Sequence, residues 1–137
     1  MTAPFSGGCL CGAVRYECTA EPFGTLYCHC RDCQHTTGGP SSTVVMVAKT
    51  AVEVTRGEVR SFTKKSDSGD DVTRQFCGDC GSPLFSVLGS NADLLVVKAG
   101  SLDDPSWLSP SMNIWTDSAQ PWAHIADDLP RMAKNPG

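Results

Sequence analysis

Alternation of apolar and polar positions is the clearest periodic signal in the chain. Val14, Tyr16 and Cys18 share one parity while Arg15 and Glu17 share the other, the period of a half-buried strand. Short apolar runs rich in Val, Phe and Thr, bounded by Gly, Asp, Ser or Pro, predict strands over residues 13–18, 25–30, 42–48, 52–55, 59–64, 72–76, 84–88 and 94–99. None of these runs is long enough for a helix. A helical turn is expected at 31–35 and a second short one at 103–108, while SDSGDD at 66–71 is expected to be an exposed hairpin loop. The tail from Pro110 is expected to wrap the sheets as irregular structure.

Length and composition narrow this to one soluble globule. The 137 residues fit a single domain spanning residues 1–137, and 40% hydrophobic with 19% charged residues excludes a disordered polyelectrolyte. Fifteen acidic residues against eleven basic ones give a net charge of -4 with no basic stripe, which argues against a nucleic-acid partner. The opening MTAPFSGG lacks the charged and apolar regions of a leader, and no run of ~18 apolar residues exists. A membrane partner is therefore not expected, and the expected location is the cytoplasm.

Eight cysteines in such a chain change the picture, because thiols kept reduced generally bind metal or react. Seven of them fall in three clusters: Cys9 and Cys11, then Cys28, Cys30 and Cys33, then Cys77 and Cys80. Structural zinc takes four ligands tetrahedrally with thiolates at ~2.3 Å, whereas catalytic zinc keeps one position open. Residues i and i+2 of a strand project to one side, so Cys9 and Cys11 are able to share a metal, and the turn Cys77–Cys80 followed by Gly81 presents two more sulfurs. The trio lies within six residues and needs no distant help. Counting thus favours one closed four-thiol site and one open three-thiol site, two zinc ions per chain. Spacing does not fix partner choice, so a pairing of Cys28 and Cys30 with Cys9 and Cys11, leaving Cys33 free, stays open. A disulfide framework is disfavoured by compartment and by the strained ring that CxC would form. A thioredoxin-like CxxC would need a βαβ setting that the strand pattern lacks.

Cys18, on the parity of Val14 and Tyr16, reads as a buried apolar thiol. His29 lies between two candidate ligands and, by strand alternation, points away from their metal. His35, two residues past Cys33, is a candidate to approach the open position; its plainer reading is a surface histidine. The aromatic residues read chiefly as packing. Arg15, Arg31 and Arg74 lie close to cysteine clusters, where a cation would offset thiolate charge.

The ordered set GGCLCGAVRY, YCHCRDCQHTTGG, FCGDCGSPLF, KAGSLDDPSW and QPWAHIADDLP resembles the glutathione-dependent formaldehyde-activating enzyme family, within the superfamily that includes centromere protein V-like domains. The resemblance runs from about Gly7 to Pro130. It implies a mainly β protein, a β-tent fold of small antiparallel sheets stapled by zinc. It also implies a structural zinc on Cys9, Cys11, Cys77 and Cys80 and a catalytic zinc on Cys28, Cys30 and Cys33. The implied activity is that of a carbon-sulfur lyase, with a small thiol such as glutathione added to formaldehyde or a related aldehyde. Many relatives carry His-Ile-aromatic ahead of the Pro-Trp in the tail, where this chain has Asn113, Ile114 and Trp115. Two rival classes remain: a zinc-stabilised binding module without turnover, and a redox sensor whose trio releases zinc on oxidation.

Overall fold

The computed structural model describes residues 3–135. Among these, ten strands form two sheets: β1 (Phe5–Gly8), β2 (Arg15–Cys18), β3 (Gly24–Cys28), β4 (Ser42–Ala48), β5 (Val52–Arg56), β6 (Val59–Lys65), β7 (Asp71–Cys77), β8 (Pro83–Leu88), β9 (Asn91–Lys98) and β10 (Asn113–Ile114). The smaller sheet runs β1-β2-β5 and the larger one β10-β3-β4-β9-β8-β7-β6. All pairings are antiparallel except the short one of β10 with β3. This is the mainly β architecture that the sequence led us to expect.

Parity assigns the two faces of the larger sheet to different tasks. Val45, Val47, Phe85, Leu95 and Val97 face the smaller sheet and form the main core with Phe5, Val14, Tyr16 and Cys18. Their neighbours Val44 and Val96 point the other way, into a second cluster with Leu26, Cys28, Cys33 and Ile114. β4 and β9 are covered on both faces, which is why SSTVVMVA and DLLVVKA read as continuous apolar runs instead of alternating ones. Cys18 is fully buried, as its parity predicts.

Among the described residues the one α-helix, α1 (Arg31–Thr37), lies where a helical turn was expected at 31–35 and runs on to Thr37. The Cys30 thiol caps it by accepting from the Cys33 N–H at 3.3 Å, and Gly38 ends it in the left-handed region at φ 70°, its N–H bonded to the Gln34 carbonyl at 2.8 Å. The expected helix at 103–108 is replaced by bends and a turn closed by Leu108 N–H on the Pro105 carbonyl at 3.1 Å. Pro105 has no N–H to give, and Asp103 is drawn away by Arg15 at 2.8 Å and by its own N–H on the Ser6 carbonyl. β1 was not anticipated, because FSGG offers little alternation. Gly7 is required there: a Cβ would lie 2.3 Å from the Ser101 carbonyl oxygen and 2.4 Å from the Tyr16 hydroxyl. The tail is largely irregular, as expected, but β10 adds a parallel edge beside β3. Among the described residues no helix is long and apolar enough to cross a membrane.

Candidate functional site

Cys9 and Cys77 each leave the end of a strand, and each opens a turn closed by a glycine. Gly12 N–H bonds to the Cys9 carbonyl at 3.2 Å and Gly81 N–H to the Cys77 carbonyl at 2.8 Å, both glycines at φ 80°. Backbone amides aim at the sulfurs: Val14 N–H donates to Cys9 Sγ at 3.2 Å, and those of Asp79 and Cys80 donate to Cys77 Sγ at 3.4 and 3.5 Å. Ser82 ties the two turns together, its Oγ accepting from Leu10 N–H at 3.0 Å and lying 3.2 Å from Cys80 Sγ. The sulfurs of Cys9, Cys11, Cys77 and Cys80 lie within 4.8 Å of one another. Cys9 to Cys11 is 3.6 Å and Cys11 to Cys77 is 3.8 Å. A tetrahedron of ~2.3 Å zinc-sulfur bonds has edges of about 3.8 Å, so the donor set fits zinc. The Val14 amide draws the Cys9 thiol below its ordinary pKa, and Ser82 holds that of Cys80 down at about 5.

The trio forms a second group. Cys28 ends β3, Cys30 caps α1 and Cys33 sits in its first turn, with all three sulfurs within 4.8 Å. Hydrogen bonds from the neighbouring Cys28 and Cys33 thiols draw the Cys30 pKa well below the ordinary thiol value, and Cys28 is pushed up in return. Three thiols this close cannot all ionise without a cation, a part that a metal ion would fill. This donor set too fits zinc, with its ligands all drawn from one side. Nothing in the geometry joins Cys28 and Cys30 to Cys9 and Cys11; the end clusters meet each other and the trio stands alone.

A cavity of about 540 Å3 opens on the trio. Its floor is the outer face of the larger sheet, with Leu26, Val44, Met46 and Val96, and Arg74 and Lys98 also line it. Lys98 is 8% exposed and donates to Ser42 Oγ at 3.2 Å. Burial pulls its pKa below the usual lysine range, against the opposing pull of the Cys33 sulfur. None of the four end-cluster cysteines borders this cavity.

Behind the trio, polar side chains lock the segment in place. His29 is buried, turned away from the sulfurs as alternation predicts, with Nε2 2.9 Å from Asn113 Oδ1. Buried Gln34 donates to the carbonyls of His29 at 2.8 Å and Ser118 at 3.0 Å, and accepts from Gln120 and from Arg31. Arg15 pairs with Asp103, so of the three arginines near the clusters only Arg74 lines the cavity. His35 is not brought to the trio: it is exposed on the last turn of α1 and does not line the cavity. The helix explains why, since i and i+2 lie ~200° apart around its axis. Lys98, Ser86 and the His29–Asn113 pair were missed by sequence reasoning. A lysine on the parity of Leu94 and Val96 in LLVVK was the available signal for the first.

No match was found among curated proteins. Among solved structures, the chain is similar to a Rhodobacter sphaeroides protein whose crystal structure was a Northeast Structural Genomics target. Identity is 19% over 92% of this chain and 98% of that one, with a TM-score of 0.60, which shows a shared fold. The sequence profile of the glutathione-dependent formaldehyde-activating enzyme matches residues 4–118, which include all seven clustered cysteines. The chain therefore belongs to the glutathione-dependent formaldehyde-activating enzyme family.

Proposed function

We propose that this protein is a zinc-dependent carbon-sulfur lyase that joins a small thiol such as glutathione to formaldehyde or a related aldehyde, and cleaves the adduct in reverse. In this reading Cys9, Cys11, Cys77 and Cys80 hold a structural zinc, and Cys28, Cys30 and Cys33 hold a catalytic one. The observation that carries it is the cavity: the three-thiol group borders it and the four-thiol group does not. Family membership supports the formaldehyde-activating type of chemistry.

Zinc on three thiolates supplies, when bound, a position at which a substrate sulfur is stabilised as thiolate near neutral pH. The chain's own groups do the rest. Lys98 and Arg74 bring positive charge to the cavity wall, which favours the ionised sulfur over the protonated one. The apolar floor of Leu26, Val44 and Val96 displaces water and keeps thiol and aldehyde together, converting an encounter into a positioned step. The substrate S–H gives up its proton and the sulfur lone pair forms the new bond to the carbonyl carbon. The C=O π pair moves onto oxygen, which takes up one proton. Atoms and charge balance without an oxidant, and the product is the S-hydroxymethyl adduct.

Exchange NMR of formaldehyde with glutathione tests this, with zinc-loaded wild type and Cys30→Ser compared against buffer. Acceleration by wild type that the variant loses is expected. Absence of acceleration with glutathione and with other small thiols would overturn the proposal and leave the non-catalytic module or the sensor.

A further inference from the structure

We infer that Lys98 is a catalytic residue whose ammonium donates a hydrogen bond to the aldehyde oxygen as the carbon-sulfur bond forms. The inference rests on the reading above in taking the cavity as the place where thiol and aldehyde meet. Strand register puts the donor there. Ser42 on β4 is paired in register with Cys28 on β3, and Lys98 on β9 with Val44, which shares Ser42's face of β4. The Lys98 side chain donates to Ser42 Oγ at 3.2 Å. Residues opposite each other on antiparallel strands keep their Cβ atoms about 4.5 to 5.5 Å apart on one face, so the ammonium ends one side chain away from Cys28. Cys28, Cys30, Cys33 and Lys98 all line the cavity, and Lys98 is 8% exposed.

The donors of this ammonium are not used up. It has three N–H groups, and the one hydrogen bond described for it goes to the neutral Ser42 hydroxyl. Among the described residues no carboxylate is in a salt bridge with it. Burying a cation in this way is costly unless an anionic acceptor meets it. Addition to a carbonyl creates that acceptor during the reaction itself. The sulfur lone pair forms the C–S bond, the C=O π pair moves onto oxygen, and the oxygen becomes an alkoxide. Lys98 donates to this oxygen and hands it a proton, and the proton released by the thiol S–H restores the ammonium. Atoms and charge balance without an oxidant. A preorganised donor aimed at charge that grows in the transition state lowers the barrier without tightening the ground state. Arg74 is the other cation lining the cavity, and its buried Nε has no hydrogen-bond partner. Of the two, the described hydrogen bonds fasten only Lys98 beside Cys28, so Lys98 takes this part and Arg74 serves as the control.

Two readouts on zinc-loaded protein test this. In the first, calorimetry without aldehyde compares 2-mercaptoethanol with 1-propanethiol, thiols of matched size of which only one carries an oxygen close to the sulfur. Wild type is expected to favour 2-mercaptoethanol by about fivefold or more, as a hydrogen bond from a charged donor allows, and Lys98→Met to bring the ratio below about twofold. In the second, exchange NMR of formaldehyde with glutathione, Lys98→Met is expected to lose the acceleration by about a hundredfold. Its affinity for 1-propanethiol should stay within about threefold, since zinc and Arg74 still hold the sulfur, and its zinc content should not change. Arg74→Gln is expected to keep the preference for the hydroxyl. A rate loss matched by an equal loss of thiol affinity or of zinc would make Lys98 a counter-charge to the sulfurs and overturn the inference, as would finding both effects in Arg74→Gln instead. Should Lys98→Met fail to fold, Ser42→Ala decides: the untethered ammonium is expected to lose the hydroxyl preference and about fivefold of the rate, and no change in either overturns the inference. No acceleration by wild type, with a Lys98-dependent hydroxyl preference, would overturn the proposed function while the donor stands. Acceleration undiminished in Lys98→Met would overturn the donor alone.

Discussion

Severing the four-thiol group should cost far more stability than severing the trio, and the topology gives the difference. Cys11 and Cys77 are 66 residues apart in sequence, so a metal across the end clusters closes a long loop, whereas the trio spans six residues. By the chain-entropy relation used for cross-links, closing about 66 residues is worth about 4 kcal/mol and closing about six is worth about 2. At ~2.1 cal/mol/K of unfolding entropy per residue, each kcal/mol moves the midpoint of a chain this long by about 3.5 °C. The double variant Cys77→Ser, Cys80→Ser is therefore expected to melt about 15 °C below zinc-loaded wild type, and Cys30→Ser, Cys33→Ser about 7 °C below. Calorimetry on zinc-loaded proteins measures the gap, and metal analysis should find about one zinc per chain in each variant. Repeating the scans after chelation should close most of the gap, because it arises from the cross-link rather than from the lost sulfurs. Equal midpoints in the loaded proteins, or a larger drop for the trio variant, would refute the division into a structural and an open site.

Three further outcomes follow from single contacts. Ser82→Ala removes the acceptor of Leu10 N–H and the neighbour of Cys80 Sγ, and is expected to cost about 1 kcal/mol, read as a melting shift of about 3 to 4 °C. Asn113→Ala strips the buried His29 of its side-chain partner and is expected to cost about 1 to 3 kcal/mol, with a matching loss in thermal unfolding. Asp103 is held below the ordinary carboxylate range by the Arg15 hydrogen bond, so the pair stabilises above the unfolded carboxyl pKa of about 4 and the gain is lost as pH falls through the lower folded value. Both side chains are a third or more exposed, so Asp103→Asn should lower stability by under about 1 kcal/mol at pH 7, and the difference should vanish in denaturation measured near pH 2.

The strands were legible where one face is buried and the other wet, as at β2, and where a continuous apolar run marks burial on both faces, as at β4 and β9. β1 was not, because its glycines are there for the close approach of Tyr16 and the Ser101 carbonyl, a contact made across distant sequence. The cysteine grouping was legible because metal geometry constrains spacing. Partner choice was not, since it depends on the turns after β1 and β7, which belong to different sheets, meeting in space. His35 looked close to Cys33 in sequence, but two residues of helix, ~200° of rotation, carry it to the outside. Lys98 stayed hidden because a lysine near the end of an apolar strand reads equally as a solvated end, and Ser86 because a serine within one reads equally as a wet face; only the neighbouring strands show that this face lines a cavity.

In the proposed function, identical ligand chemistry would acquire two roles from the direction in which the chain delivers it. The end clusters arrive from two separate turns, each with a closing glycine and amides aimed at sulfur, so that four donors converge on one point from two directions. The trio comes from one contiguous stretch, the end of β3 and the first turn of α1, and three sulfurs from six residues necessarily approach from one hemisphere. Whatever completes that centre would come from the cavity, where strand parity places Val44, Val96, Ser86, Lys98 and Arg74, none of which carries a sulfur, imidazole or carboxylate. Among the described residues no fourth histidine, cysteine or carboxylate joins the three sulfurs, and apolar side chains beside two cations border the cavity that opens on them, where a substrate thiol would complete the set.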